Sequence, residues 1–353
     1  MDFEQLLRYR PPLEALLRRT YRAERRRVAP PFRRFVESLE EFTLRGGKRF
    51  RALLLLAGYW MASGRDPRAA LSAAAALEHF QTWMLVHDDI IDHAESRRGG
   101  PTLHRVFETE HASGHQLGNS SEFGVGIGIT LGDLEEPSTV EGLLAAPGPA
   151  DRRLRAVEEY IRMTRETAYG QLLDIQNGTR PVGEVSEQDV LTVHRLKSAF
   201  YTVASPLRIG AILGGGRSPL LKELESVGLD LGVAFQLRDD VLGAGFDAAA
   251  AGKTANDLIE GKRTLLVVRA WASADERGRT TLEGVLGHPA ATPTQVEAAR
   301  DVIRGTGSLA YSERRIAAID ARARKRIAAS RALPARARSL LNEIGDKLVY
   351  RSV

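Results

Sequence analysis

Not one of the 353 residues is cysteine. Disulfides, thiolate metal ligands and thiol nucleophiles are excluded, and a disulfide-stapled secreted domain is untenable. Aromatic residues make up only 6% of the chain and are sparse in its basic stretches, where single-stranded nucleic acid would need stacking partners. The longest apolar run, around Ala52 to Trp60, falls far short of a bilayer span. The N-terminus, Met1-Asp2-Phe3-Glu4, lacks the basic start and apolar core of a signal peptide. These absences predict a soluble, cytoplasmic protein with no transmembrane segment.

Apolar residues account for 43% of the sequence, rich in Ala and Leu and poor in β-branched types, a balance that favours helix over sheet. The expectation is an all-α protein. Net charge is +5, with the densest basic stretches at Arg18 to Arg34 and Arg314 to Arg326. Mixed charge of this kind reads as solvated helix faces. No nucleic-acid motif accompanies it, so nucleic acid is not an expected partner.

Helical periodicity predicts helices near 12–27, 30–43, 48–63, 67–93, 101–112, 151–177, 186–215, 218–246 and 261–275, with more towards the C-terminus. Gly46-Gly47, Gly64, Gly99-Gly100-Pro101, Pro181 to Gly183, Gly214 to Gly216 and Gly287 to Pro293 mark the turns. There is no fixed-period repeat and no long linker, which predicts a single domain over 1–353. The least regular stretch, Gly114 to Ala150, carries eight glycines. Its GVGIG run has no preceding strand and no Lys-Ser/Thr, so it is not a phosphate loop. Close helix packing or a flexible segment is the expectation there.

Chemistry concentrates in three groups. LVHDDIID places Asp88, Asp89 and Asp92 at the end of a long apolar helix, where a 100° advance per residue puts all three on one side. Like charges so spaced repel by about 0.2–0.5 kcal/mol per pair, more when desolvated, and call for a cation. Hard oxygen ligands suit Mg2+, which shares a few carboxylates with water and substrate phosphates. FQLRDDVLG sets Asp239 and Asp240 on a second apolar helix roughly 150 residues further along. Pairs of helices with inward carboxylates are a known way to build a shared metal site. His87 lacks the Glu-x-x-His spacing of a di-iron site and reads as a supporting or packing residue. The third group is cationic: Lys48, Arg49 and Arg51 in GGKRFR, Arg97 and Arg98 in ESRRGG, then Lys197, Lys253, Lys262 and Arg263. Each alone is ordinary surface charge; beside two acidic clusters they indicate a site for metal and diphosphate together, since Arg grips phosphate bidentately and Lys acts as a point charge.

GGKRFR, HDDIID followed by RRGGPTLH, GQLLDIQ, LKSAFYT, FQLRDDVLG and GKTANDLIEGKRT stand in this order between about residues 40 and 270. With these motifs the sequence resembles the trans-isoprenyl diphosphate synthase (polyprenyl synthetase) family, short-chain type. The resemblance implies a bundle of long helices around a deep cavity, a homodimer, and Mg2+ bridging both aspartate motifs to an allylic diphosphate. It assigns Asp88, Asp89, Asp92 and Asp239 to metal, with Asp240 nearby. Lys48, Arg51 and Arg98 take the isopentenyl diphosphate site, with Gln81 as a hydrogen-bond donor. Arg97, Lys197, Lys253 and Lys262 take the allylic diphosphate. Ser198, Thr202 and Gln236 line the region where positive charge develops. Trp83, five residues before Asp88 and so about 7.5 Å along the helix axis, with Phe80 and Met84 beside it, would limit product length to farnesyl or geranylgeranyl.

Two departures from the family pattern stand out. Gly243 replaces a third Asp of the second motif, a form some members share. Leu134-Glu135-Glu136-Pro137 puts charge and a helix breaker where the family continues apolar. A class I terpene cyclase is the first rival, but it would have no use for Lys48, Arg51 and Arg98. A non-catalytic modulatory subunit is the second, but such subunits tend to lose an aspartate motif.

Overall fold

A computed structural model describes residues 1–246 and 256–350, and almost every element in it is a helix. They are α1 (Phe3–Leu7), α2 (Arg10–Arg27), α3 (Arg33–Leu44), α4 (Phe50–Ser63), α5 (Leu71–Ile91), α6 (Leu103–Ser113), α7 (Ser120–Leu144), α8 (Ala150–Thr179), α9 (Glu187–Val193), α10 (Ser205–Leu213), α11 (Ser218–Gly243), α12 (Asn256–Ile259), α13 (Leu265–Ser273), α14 (Glu276–Glu283), α15 (Pro293–Gly305), α16 (Ser308–Ala329) and α17 (Ala335–Val349). The exception is a two-stranded hairpin, β1 (Ser96–Arg97) and β2 (Gly100–Pro101). The all-α expectation is met. By internal packing the chain divides into two compact units, Met1–Glu158 with Ile209–Gly216, and Glu159–Arg208 with Arg217–Val353.

In the first unit α5 is the central helix. Its start is nearly all Ala and Leu, and Ala73 to Thr82 are buried on every side. A helix apolar all round belongs in a core, not on a surface. α2, α3, α4 and α7 pack around it. α4 is equally apolar and ends at Gly64, whose left-handed conformation (φ 69°) lets its N–H reach the Trp60 carbonyl.

The irregular stretch expected over 114–150 is instead mostly one 25-residue helix, α7. Gly124, Gly128, Gly132 and Gly142 mark close packing, as expected for that alternative. A Cβ at Gly124 would stand 2.3 Å from the His104 carbonyl oxygen, and one at Gly132 2.5 Å from His87 Nε2. Pro137 lies inside the helix and forgoes only the bond its missing N–H would make to the Asp133 carbonyl. Periodicity failed here because bare glycines at four-residue spacing are contact surface, not breaks.

In the second unit α11 is central. Its buried stripe runs from Leu220 through Leu224, Val227, Leu231 and Leu237 to Asp240. The helix predicted over 186–215 exists but changes pitch: α9 passes into a π-helix, His194–Ala204, before α10. Here too glycines permit contact, since a Cβ at Gly232 would be 2.6 Å from Ala199 Cα.

Candidate active site

In the first unit, α5 delivers the DDIID carboxylates at its C-terminal end. Asp88 is half-buried, Asp89 is 1% exposed, and Asp92 is the C-cap. The hairpin that follows returns Arg97 to them. Its Nε donates to Asp89 Oδ1, and its Nη2 lies 3.7 Å from Asp88 Oδ2. Burial pushes the Asp89 carboxyl up to about 6, with Arg97 opposing the rise and Asp88 and Asp92 adding to it. The three aspartates therefore feel one another, as the helical spacing required.

Arg98, on the hairpin turn, lies against the glycine loop before α4: a Cβ at Gly47 would be 3.0 Å from its Nη1. Burial of the guanidinium, then the like charges of Arg49, Arg97 and Arg51, lower its pKa, with Glu78 opposing. Cations crowded in this way favour an anion. Lys48 is exposed beside them, and Arg51 is half-buried in the first turn of α4. Arg49 does something else. It is 4% exposed and bonds Glu78 Oε2 at 3.0 Å and the Thr43 carbonyl at 2.8 Å, which makes it a buried structural pair.

Further up α5, Gln81 is buried with Oε1 lacking a hydrogen-bond partner. Phe80 is fully buried; Trp83 and Met84 are half-buried. Phe80 and Trp83 meet edge to face at 5.7 Å, and Trp83 meets the His87 ring at 6.1 Å. His87 itself fills the notch at Gly132 and approaches the Ile129 carbonyl at 3.2 Å, the packing role expected of it.

In the second unit, Lys197 and Ser198 are half-buried and Thr202 is buried, all within the π-helix. π-bulges frequently mark functional sites, because they re-aim side chains that a regular helix would spread. Lys197 Nζ donates to Asp174 Oδ2 at 2.7 Å, beside Gly170 of α8. Asp240 is buried and held at both oxygens, by His194 Nε2 at 2.8 Å and Gln236 Nε2 at 3.2 Å. Asp239, one residue earlier, is half-buried. Lys262 bridges Asp257 at 3.1 Å and Glu260 at 2.8 Å. Burial raises the Asp257 pKa, Lys262 opposing and Asp240 adding. A Cβ at Gly243 would be 1.9 Å from Asp257 Oδ2, so this carboxylate occupies the space beside the residue that departs from the family pattern. Lys253 lies outside the described residues.

Among the described residues no three His, Asp or Glu side chains form a ready-made metal cage. Mg2+ needs none, since it keeps several waters and is held by one or two carboxylates plus substrate phosphates. Asp89 Oδ2 is buried with no hydrogen-bond partner. A buried carboxylate oxygen in that state calls for a proton or a cation. The residues present fit a metal that arrives with a diphosphate.

Sequence reasoning passed over several residues. Asp174 sits in the GQLLDIQ motif and Asp257 in NDLIEGKRT, so motif membership could have flagged both. His194 carried no signal, and the role of Glu135, though its charge stood out, could not be read, because their partners, Asp240 and His79, are 46 and 56 residues distant.

Asp88, Asp89 and Asp92 at the end of a long apolar helix, with Arg97 returned beside them, fit a class of helical protein that holds diphosphate with divalent metal. Residues 33–303 match the polyprenyl synthetase family, and the chain belongs to it. Among its relatives, a geranylfarnesyl diphosphate synthase of Aeropyrum pernix is 33% identical over 319 residues, covering 87% of this chain and 91% of the relative. A geranylgeranyl diphosphate synthase of Sulfolobus acidocaldarius is 30% identical over 263 residues, 73% of each chain. Among solved structures, a geranylgeranyl pyrophosphate synthase of Corynebacterium glutamicum, complexed with isoprenyl diphosphate and magnesium, is 32% identical, with a TM-score of 0.91 and full coverage of both chains.

Proposed function

We propose that this chain catalyses the Mg2+-dependent head-to-tail (1′-4) condensation of isopentenyl diphosphate with an allylic diphosphate, giving a short-chain prenyl diphosphate and diphosphate. The observation that carries the reading is the first-unit array, in which Arg97 ties Asp88 and Asp89 while Arg98 lies against the loop that bears Lys48. Asp88, Asp89, Asp92 and Asp239 would hold Mg2+, with Asp240 fixed behind Asp239 by His194 and Gln236. Bound there, the metal would polarise the allylic diphosphate and stabilise it as a leaving group.

The residues do the rest. Arg97, Lys197 and Lys262, with Lys253 outside the described residues, would take up charge on the departing diphosphate. The carbon–oxygen bond breaks with its electrons going to diphosphate, and Ser198, Thr202 and Gln236 border the allylic cation that forms. Lys48, Arg51, Arg98 and Gln81 orient isopentenyl diphosphate so that its double bond attacks the cation, making the new carbon–carbon bond. The neighbouring proton leaves for the released diphosphate, as the resemblance implies. Water must be kept out, because it would trap the cation as an alcohol.

Trp83, backed by Phe80, is the proposed floor for the growing chain, with Met84 beside it. A bulky stop five residues from Asp88 favours geranylgeranyl or farnesyl length, and relatives named for twenty- and twenty-five-carbon products stand close to that range. We further read the chain as one functional domain and a homodimer of the cytoplasm. α7 exposes Phe123, Ile129, Leu134 and Leu144, and α8 exposes Leu154, Ile161, Tyr169, Leu172 and Ile175. Such faces call for a partner, and a second copy is the one the resemblance implies. Among the described residues no helix is long and apolar enough to cross a membrane.

The test is incubation with isopentenyl diphosphate and dimethylallyl, geranyl or farnesyl diphosphate, with Mg2+ or with chelator, followed by product sizing. Chain extension that requires Mg2+ supports the reading. Cyclised hydrocarbon, or no turnover from any starter, overturns it.

A further inference from the structure

The hairpin that presents Arg97 and Arg98 pairs only Ser96 with Pro101 and Arg97 with Gly100. A two-stranded ribbon so short has no stability of its own. Its turn residues, Arg98 and Gly99, both have positive φ, 52° and 76°, and Arg98 accepts a left-handed conformation that a side chain disfavours. Something outside the ribbon must fix it.

That something is Arg45, the last residue before the Gly46-Gly47 loop. Its Nη1 donates to the Pro101 carbonyl at 2.8 Å and to the Arg97 carbonyl at 3.4 Å, one on each strand. Its Nη2 donates to Glu41 Oε1 at 2.9 Å, which anchors the guanidinium on α3. Its own carbonyl accepts from Arg98 Nη1 at 3.4 Å. Gly100 makes room for this clamp: a Cβ there would stand 2.4 Å from Arg45 Nη1. One residue thus sets the backbone of Arg97 with its side chain and the guanidinium of Arg98 with its main chain.

We propose that Arg45 is a positioning residue that places Arg97 and Arg98 for the two diphosphates. The proposal rests on the functional reading above, which assigns those arginines to the substrates. On that reading Arg45 acts through the two arginines and not on the substrates themselves. Its effect is geometric, through the planar fork that a lysine cannot reproduce.

The structure supplies two independent ways to break the clamp. Arg45→Ala removes it. Gly100→Ala displaces the guanidinium, the free end of a flexible side chain. Steady-state kinetics of the full-length wild type, R45A, R45K, G100A, R98A and the R45A/G100A double variant would be measured with each diphosphate varied, beside thermal melts. R45A should raise KM for isopentenyl diphosphate by about tenfold or more, as a misplacement of the order of 1 Å can, with a smaller rise for the allylic substrate. In the same variant kcat should fall as well, because Arg97 is displaced together with Arg98, while the melting temperature should stay near wild type. R45K should fall between the two. G100A should reproduce R45A, and the double variant should be no worse than either, because both break one interaction.

An R45A enzyme with unchanged KM, when R98A raises it, overturns the positioning role alone. So does a double variant whose losses multiply, or a KM change seen only with a lowered melting temperature. A wild-type protein that condenses neither substrate overturns the functional reading and the positioning role with it.

Discussion

Asp89 is the residue whose chemistry is most altered by its surroundings. Burial pushes its carboxyl up to about 6, above the 3.8 usual for an aspartate. The sign follows directly. A carboxyl that binds its proton more tightly when folded favours the folded state below pH 3.8, and that advantage is lost as pH rises through about 6. In metal-free protein, Asp89→Asn should therefore be more stable than wild type above pH 6, by about 3 kcal/mol, the two converging near pH 4. Thermal melts across that range, with chelator present, measure it. Equal pH dependence in both proteins would show that Asp89 is not the buried charge. Adding Mg2+ with inorganic diphosphate should stabilise wild type and leave the variant behind. At this scale the aspartates were plain in the sequence, because a helical spacing fixes which side chains share a face. That Arg49 is a core residue paired to Glu78 was not, since GGKRFR offers three similar cations and only packing sorts them.

Between elements, the departure at Glu135 becomes intelligible. The carboxylate is 2% exposed, with His79 Nδ1 at 2.6 Å and the Tyr21 hydroxyl at 3.0 Å, and Tyr21 is bonded in turn to Thr43. Burial beside that carboxylate raises the Tyr21 pKa well above its usual value. The charge that disturbs the family's apolar pattern is a polar lock joining α7 to α5 and α2. Glu135→Ala should cost about 1–3 kcal/mol, the loss expected when buried hydrogen-bonding groups are left without their partner, and chemical denaturation would report it. A loss under 1 kcal/mol would contradict the lock. Gly210→Ala tests close packing elsewhere in the first unit: its Cβ would lie 1.8 Å from the Leu55 carbonyl oxygen, so α10 must move off α4. We expect a loss of at least about 1–3 kcal/mol in the same measurement. The helices α4, α5 and α11 were legible as long apolar runs. α7 was not, because its glycines read as breaks until the close neighbours of Gly124, Gly128, Gly132 and Gly142 are seen.

For the whole molecule, motif order and spacing gave the family, and family membership is secure from the match over residues 33–303. Product length belongs to this scale, since it depends on depth of space and not on any single contact. Trp83→Ala should shift products towards longer chains while kcat with a short starter stays within about threefold, as expected of a residue that binds no reacting atom. An unchanged length distribution would remove Trp83 as the floor. Turnover in the proposed condensation depends on both Asp88 and Asp239, and the most direct measurement is kcat for Asp88→Asn, Asp239→Asn and the double variant at saturating Mg2+. Each single change should lower kcat by about 10²–10³-fold, and the double variant should fall little further, because groups that act as a unit are not additive. Full multiplication of the two losses, or turnover by either single variant close to wild type, would contradict it.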